Sequence, residues 1–537
     1  MGNKIKLNLM TRQLKNKKGF ALIGTLILVF VVSTFAIALL TMTQNEIKSS
    51  ALQKASKETF YIAESGIDHA ISRLEDLGTP DFPSPYYLTD ENDHYIDMGN
   101  GKYKAYIQSA GTFSYIIRSE GQMPWSNTGG KISKTIESKV ILENFAMYAY
   151  FSDTELFPAS IDAGYGGQKI WFYGNDHIGG PLHSNDRLHM AGEPTFDGTV
   201  SSAWVNPTDP DDVSWEAYDA QTDPNFNGNP GFKGGIDEIP LPQYRNISDL
   251  LDENSLQRIA AGSIDQDFVN AQPNGAYVPN DGVNVTDGIW VKGNVYNLTL
   301  GVDAQDNSQI TIAQSGKTTT IYIIETPITL GGHTYPSGTT LTDEYNTVTH
   351  AHTYTNRSGH PNGVLYVGGN ISNLKSTATD GGLKGKLTIA SDSTITIGDN
   401  LLYNTRVNDP NCFDVPAGTY PNIPDSLGLV SEGNIMVKNN APNDMEINAI
   451  MMALGTSFYY EGWKYNMQGD LIVHGSFIQD QRGPVGTFNS WGKVSGYTKD
   501  YNFDTRMSIG NPNLGQAIPP YFPTTGKYIK LYWKEVD

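Results

Sequence analysis

From Phe20 to Met42 no charged side chain interrupts the chain, and a run of that length can cross a bilayer as a helix. Beyond it the sequence turns polar, yet no Pro or turn cluster intervenes before Gly78-Thr79-Pro80. Ile47, Ala51, Ala55, Ile62, Gly66, Ala70 and Leu74 recur there at the three-, four- and seven-residue spacings of an amphipathic helix. The pattern predicts one transmembrane and stem helix over residues 20–77, about 85 Å long at 1.5 Å per residue.

Downstream the period changes to two. Residues 102–107, 115–119 and 134–141 alternate apolar and polar positions, with a Gly-rich turn at 127–130 before the third. They predict a small antiparallel sheet within 78–150. After residue 150 the chain reads almost entirely as strands and turns. A Gly-Asn/Asp-aliphatic element recurs at Gly293-Asn294-Val295, Gly369-Asn370-Ile371, Gly433-Asn434-Ile435 and Gly469-Asp470-Leu471, with a relative at Gly398-Asp399-Asn400-Leu401. A turn residue free to take positive φ, followed by a short strand, is what a stacked β-coil repeats. The intervals are unequal, so some turns must carry insertions. The expectation is an α+β N-terminal part, then a mainly-β domain over 151–537 built as a parallel β-helix or β-solenoid, with a β-sandwich as the rival. Residues 205–285, rich in Asp, Asn and Pro, are expected to leave the coil, with a helix at 247–261 started by Ser248 or Asp249.

Charge then sets orientation. Residues 1–19 carry Lys4, Lys6, Arg12, Lys15, Lys17 and Lys18 and no acid, whereas the whole chain has a net charge of −20. The positive-inside rule places residue 1 in the cytoplasm and the bulk outside. The acidic balance argues against a nucleic-acid partner, which needs a basic face. Hydrophobic residues at 39% supply a core and exclude global disorder. Cys412, the single cysteine, excludes an intrachain disulfide and a cysteine metal cluster. A cleavable secretory signal ending at Ala36-Ile37-Ala38 fits poorly because Leu39 and Leu40 continue the apolar run. A plain signal anchor and an ordinary coiled-coil spacer stay open for the helix.

The junction Lys17-Lys18-Gly19-Phe20-Ala21-Leu22-Ile23 resembles the prepilin-peptidase site of type IV pilins and pseudopilins. Phe60-Tyr61-Ile62-Ala63-Glu64-Ser65-Gly66-Ile67 resembles the Ala-rich end of the helix in PilX-type minor pilins. The resemblance covers about residues 15–145. It implies cleavage after Gly19, N-methylation of Phe20, and a helix followed by a small sheet. The partners it implies are the prepilin peptidase, the inner membrane before assembly, and other pilins or pseudopilins packed along the helix. Major pilins carry Glu at the fifth mature position, where it offsets a neighbour's buried amine. Gly24 stands there instead, and an unpaired charge in hydrocarbon is costly. The departure implies a minor subunit at or near a filament tip, displayed at the cell surface. Residues 170–200 and 483–506 resemble uncharacterised β-rich modules found behind PilX-type N-termini, which brings no activity with it.

Chemical motifs are sparse. No phosphate loop, zincin motif or GxSxG elbow is present. His350 and His352 would share one face of a strand near His360, without a carboxylate at ligand spacing, so no metal site is expected. His183 and His189 read as turn or core residues. Lys499, Asp500, Asp504 and Arg506 suggest either a lyase base or a charge-paired cap, and fold analogy alone is a weak warrant for the first. Asp90, Asn92 and Asp93, residues 209–212 and residues 303–306 are oxygen-rich loops that could take calcium, though none matches an EF-hand. Tyr459, Tyr460, Trp463 and Tyr465 crowd an apparent insertion between rungs. Aromatic rings stack on sugar faces, which makes this group the candidate for binding surface glycans; the opposing reading puts the rings in the core. The expectation is a structural or adhesive protein without catalysis or cofactor. The alternative is a surface-anchored carbohydrate-active enzyme on a β-helix scaffold, with its N-terminus uncut.

Overall fold

The computed structural model describes residues 3–77, 85–88, 95–111, 113–125, 130–174, 176–242, 247–262, 264, 266–416, 418–489 and 492–536, and the side chains among them other than those of residues 3–20 and 266. The helix stop at 78–80, the acidic loop with Asp90, Asn92 and Asp93, and the turn residues 127–129 lie outside that description, as do the side chains at Gly19 and Phe20. The chain divides into two compact units, residues 1–141 with 528–537, and residues 142–527.

The smaller unit is built on one helix, α1 (Asn3–Leu77). The apolar side chains from Leu22 to Met42 are exposed, and the helix is long and apolar enough to cross a membrane. Lower on the stem Ala55, Ile62, Ala63, Ile67, Ala70 and Leu74 are buried. They pack against an antiparallel sheet of β1 (Gly101–Gly111), β2 (Ser114–Pro124) and β3 (Lys131–Asn144). Only the part of the predicted stripe from Ala55 onward meets the sheet; Ile47 and Ala51 are exposed. Glycine lets helix and sheet approach closely. A Cβ on Gly121 of β2 would stand 2.5 Å from the Thr59 carbonyl and 2.7 Å from the Ala63 nitrogen, and one on Gly66 would stand 2.1 Å from Ser119 Oγ.

The neighbour of β3 on its far side is the C-terminal strand Thr524–Val536. Lys534 Nζ reaches Glu137 Oε1 at 3.0 Å, and Ser138 Oγ donates to the Tyr532 carbonyl at 3.0 Å. The expected division between residues 150 and 151 therefore gives way to one at 141/142, and residues 528–537 return to the smaller unit. Covering an open sheet edge stabilises it, and such a long-range pairing leaves no local trace in the sequence.

The larger unit is dominated by parallel ladders. Ile289–Lys292, Val364–Gly368, Lys386–Ser391, Ser426–Ser431, Met445–Ala453 and Met467–Gln481 pair in that order. Met467–Gln481 then pairs with Tyr150–Thr154, followed by Leu182–Ser184, Val200–Ser202 and Phe232–Lys233. The first strand of the unit thus lies in the middle of the ladder. The register sets Leu365, Ile389, Leu429, Met451, Phe477, Tyr150, Leu182 and Val200 in one buried row. Burying like on like along a row is how stacked strands share one core. A second parallel ladder runs through Asn297–Val302, Ile371–Ser376, Ile395–Leu401, Ile435–Val437 and Phe458–Tyr460.

The Gly-Asn repeat finds its reason between these ladders. Asn294 Oδ1 accepts from the Asn370 nitrogen at 2.9 Å, Asn370 Oδ1 from Thr394 at 3.2 Å, and Asn434 Oδ1 from Ser457 at 3.0 Å. Each asparagine satisfies a backbone donor of the following strand at a turn, where an unpaired N–H would be costly. Gly293 supplies positive φ, at +81°.

The departures from parallel order fall partly where predicted: the helices Leu256–Ala261 and Gln266–Ala271 interrupt the strands, and Gly275–Tyr277 pairs antiparallel with Ile289–Lys292. Within 205–285, Glu216–Ala217, Asn225–Phe226 and Phe232–Lys233 still pair in parallel with earlier strands. A second departure, outside the predicted interval, is the antiparallel meander Ser308–Gln314, Lys317–Ile324, Thr339–Asn346 and His352–Ser358, which follows Asn297–Val302. The helix expected over 247–261 shortens to Leu256–Ala261, capped by Ser255, whose side chain accepts from the Arg258 nitrogen at 3.0 Å. Ser248 Oγ is used by Glu432, and Asp249 Oδ1 accepts from Leu251 in a turn, so neither starts the helix.

Candidate functional site

Leaving Tyr150–Thr154, the chain forms a loop closed by Phe157 N–H donating to the Gln168 carbonyl at 2.8 Å and Gly167 N–H to the Phe157 carbonyl at 3.0 Å. Lys464 Nζ fastens this loop to the turn at 461–466. It reaches Asp162 Oδ2 at 2.7 Å and lies 4.4 Å from the Tyr165 ring centre. Trp463, in the same turn, packs 5.3 Å from Phe157 and 5.4 Å from Tyr165. Across from them, Trp171 meets Tyr218 edge-on at 5.2 Å, and Tyr173 stacks on Phe488 of the strand Gly486–Asn489 at 6.3 Å. Together these rings line a cleft of about 610 Å³.

Cations form the floor of the cleft, each paired with an acid that does not itself line it. Arg482, buried, donates from Nη1 to Glu155 Oε2 at 2.9 Å and lies 3.7 Å above the Phe172 ring. Tyr150 and Ser152 donate to the other carboxylate oxygen, at 2.8 and 2.5 Å. Burial pushes the Tyr150 hydroxyl well above its ordinary range, and Glu155 adds to the effect, so the phenol remains a donor. Lys499 Nζ pairs with Asp176 at 2.8 Å; burial lowers its pKa while Asp176 opposes the shift. Lys169 Nζ pairs with Glu216 at 2.5 Å at the margin.

The four aromatic residues singled out in the sequence do not make one surface. Tyr460 is fully buried, 4.8 Å from Tyr497, and donates to the Asn439 carbonyl at 3.1 Å. Trp463 is 6% exposed and of the four is the one that lines the cleft, whereas Tyr459 is half-buried and Tyr465 is 82% exposed. Alternation along the strand sends Tyr459 and Tyr460 to opposite faces. The cluster at 499–506 also divides. Lys499 serves the cleft floor, while Asp504 and Arg506 form a buried pair at 3.0 Å whose guanidinium also donates to the Ile423 and Asp425 carbonyls. Asp500 is exposed and accepts from Asn502 at 3.0 Å.

The histidines are committed singly. His350 lies 2.7 Å from the Tyr345 hydroxyl, His352 2.8 Å from Asp343, and His360 3.6 Å from Glu325. Among the described residues no three His, Cys, Asp or Glu side chains converge as a metal site. The acidic loops within the described residues use carboxylates locally, while Asp306 pairs with Lys384. Ser214, through its hydroxyl and nitrogen, and Asn206 hold the Asp212 carboxyl down at about 2. Asp303 Oδ1 accepts from Gln305 and Asn307 at 2.8 and 2.9 Å. Apart from its own helix backbone and chain neighbours, no atom lies within 4 Å of where a Cβ on Gly24 would stand.

Phe157, Tyr165, Trp171, Tyr173, Tyr218, Phe488 and the Glu155–Arg482 pair were not singled out by sequence reasoning. Trp171-Phe172-Tyr173 is a visible aromatic run, yet nothing local ties it to residues 463 and 488.

A family model described as "Domain of unknown function (DUF4900)" matches residues 112–204. No curated protein matches the chain. Among solved structures, the competence-associated pilin ComZ from Thermus thermophilus aligns at 14% identity and a TM-score of 0.28, over 90% of this chain and 97% of that one.

Proposed function

We propose that this chain is a membrane-anchored, pilin-like subunit, cut after Gly19 and methylated at Phe20, that displays its large β unit outside the cell. The observation that carries this reading is α1. One continuous helix leaves its apolar residues from Leu22 to Met42 uncovered by the rest of its own chain, then packs residues 55–74 on a small sheet. Lipid before assembly, and neighbouring stems after it, are surroundings that cover such a surface. Exposed Ile47 and Ala51 extend the same contact line below the bilayer.

In this reading the subunit is of the minor, PilX type and sits at or near a tip, because Gly24 offers no carboxylate to a neighbour's amine. The large unit is a β-solenoid, a reading supported by its two parallel ladders, stacked apolar rows and asparagine-capped turns. It serves recognition rather than catalysis and needs no cofactor, since the charged clusters at 155/482 and 504/506 are spent on buried pairs. Its partners are other pilins or pseudopilins, the prepilin peptidase and surface glycans.

The test is the intact mass of the protein extracted from membranes. A chain lacking residues 1–19 and carrying one added methyl group supports the reading. A full-length chain overturns it and favours a surface-anchored carbohydrate-active enzyme.

A further inference from the structure

We infer that the cleft between the 157–168 loop, Tyr218 and the Gly486–Asn489 strand is a binding site for a neutral oligosaccharide, held by ring stacking and released unchanged. This deepens the recognition role proposed for the large unit and rests on that reading.

Shape comes first. At about 610 Å³ the cleft falls in the range of roughly 300–1,000 Å³ occupied by small-molecule sites. Its rings are not all core. Tyr165, Tyr173 and Tyr218 remain 36, 40 and 66% exposed, and clustered exposed apolar surface marks a contact site. Aromatic faces match the axial C–H faces of pyranose rings, while the amides and hydroxyls of Gln168, Gln221 and Thr487 on the rim suit sugar hydroxyls.

Charge selects the class. Each cationic side chain lining the cleft already has its counterpart: Lys169 has Glu216, Arg482 has Glu155, and Lys499 has Asp176. Asp219 caps its own turn, accepting from the Gln221 nitrogen at 3.1 Å and Thr222 Oγ1 at 3.0 Å. An anionic glycan would have to break a pair, at the cost of leaving a carboxylate uncompensated. A neutral one displaces water alone.

The same inventory explains release without cleavage. Glycosidase chemistry takes two carboxyl groups flanking the scissile bond. Among the described lining residues Asp219 is the one carboxylate, and it is held in its turn.

The test uses the full-length protein in detergent micelles and a panel of cello-, xylo-, manno- and chitohexaose, with an oligogalacturonate as the anionic comparison. Binding is followed by tryptophan fluorescence and calorimetry. At least one neutral hexasaccharide should bind at micromolar to millimolar concentration. Tyr173→Ala and Tyr218→Ala should each weaken it at least tenfold with an unchanged melting curve, while Tyr465→Ala, outside the cleft, should not. Retention of affinity in both cleft variants, preference for the oligogalacturonate, or no binding by any neutral hexasaccharide would overturn the proposal. So would product formation on long incubation. Leader removal, read by mass on the same preparation, reports on the filament reading separately.

Discussion

Arg482 donates to Glu155 at 2.9 Å across 327 residues of sequence, with side-chain exposures of 5 and 0%. The pair links the strand that opens the large unit to the strand that comes late in it. Neighbouring backbone registers agree, since Phe477 pairs with Tyr150 and Gln481 with Thr154. Removing one member should cost about 3–5 kcal/mol, because the other is left as a buried charge. Arg482→Ala should therefore collapse amide protection in Tyr150–Thr154 and Met467–Gln481, measured by hydrogen exchange. Joint replacement, Glu155→Leu with Arg482→Met, should restore much of it. Equal damage from the single and joint variants would mean that the pair does not hold the junction.

Helix-to-sheet contact in the small unit depends on Gly121, whose Cβ position coincides with helix backbone. Gly121→Val should drive the stem off the sheet, detected as rapid proteolysis of residues 55–74. Gly24→Glu should leave the thermal transition untouched, because nothing beyond its own helix backbone and chain neighbours lies within 4 Å of that site. In assembled filaments, gold label carried by antibodies to the large unit should move from tips or sparse sites into the shaft in this second variant.

Processing is tested at the junction itself. Gly19→Val should leave the basic leader attached and abolish assembly. A variant that still ran at the processed size on a gel, with the expected mature mass, would contradict cleavage after Gly19.

Burial holds both His183 and His189 below their ordinary 6.5, so the fold keeps the rings neutral. As pH falls past 6.5 the unfolded chain takes up these protons first, and protonation favours unfolding. Their contribution is complete above that value and is lost as the medium is acidified toward the lower folded pKa values. The melting temperature of the large unit should fall between about pH 7 and pH 5, and His183→Gln with His189→Gln should flatten the slope. An unchanged slope would place the sensitivity elsewhere.

The helix, the small sheet and the β-rich remainder were legible because periodicity is a local property. So was the Gly-Asn repeat, though not the reason for it, since Asn294 acts on Asn370 in a strand far along the chain. Strand order was not legible. Phe477 beside Tyr150 is a pairing between distant segments that both read simply as apolar strands. The aromatic group at 459–465 shows the same limit at the scale of one turn. Composition reveals that rings are present, but Tyr460 points inward because of the strand Ile435–Val437 beside it, while Tyr465 falls in the turn that follows and is exposed. Ser248 carries the local signature of a helix start, but its hydroxyl is drawn to Glu432 and Ser255 caps the helix instead.

The return of Thr524–Val536 to the edge of Lys131–Asn144 makes the large unit an insertion, entered and left through neighbouring strands of one host sheet. A protease that nicks a loop anywhere in 142–527 opens the polypeptide without freeing either piece, since each fragment stays threaded into that host. Shedding takes two cuts. Mechanical load follows the same logic: tension applied to the large unit enters the host sheet along two adjacent strands at once, so their hydrogen-bond rows share the force instead of parting one bond at a time.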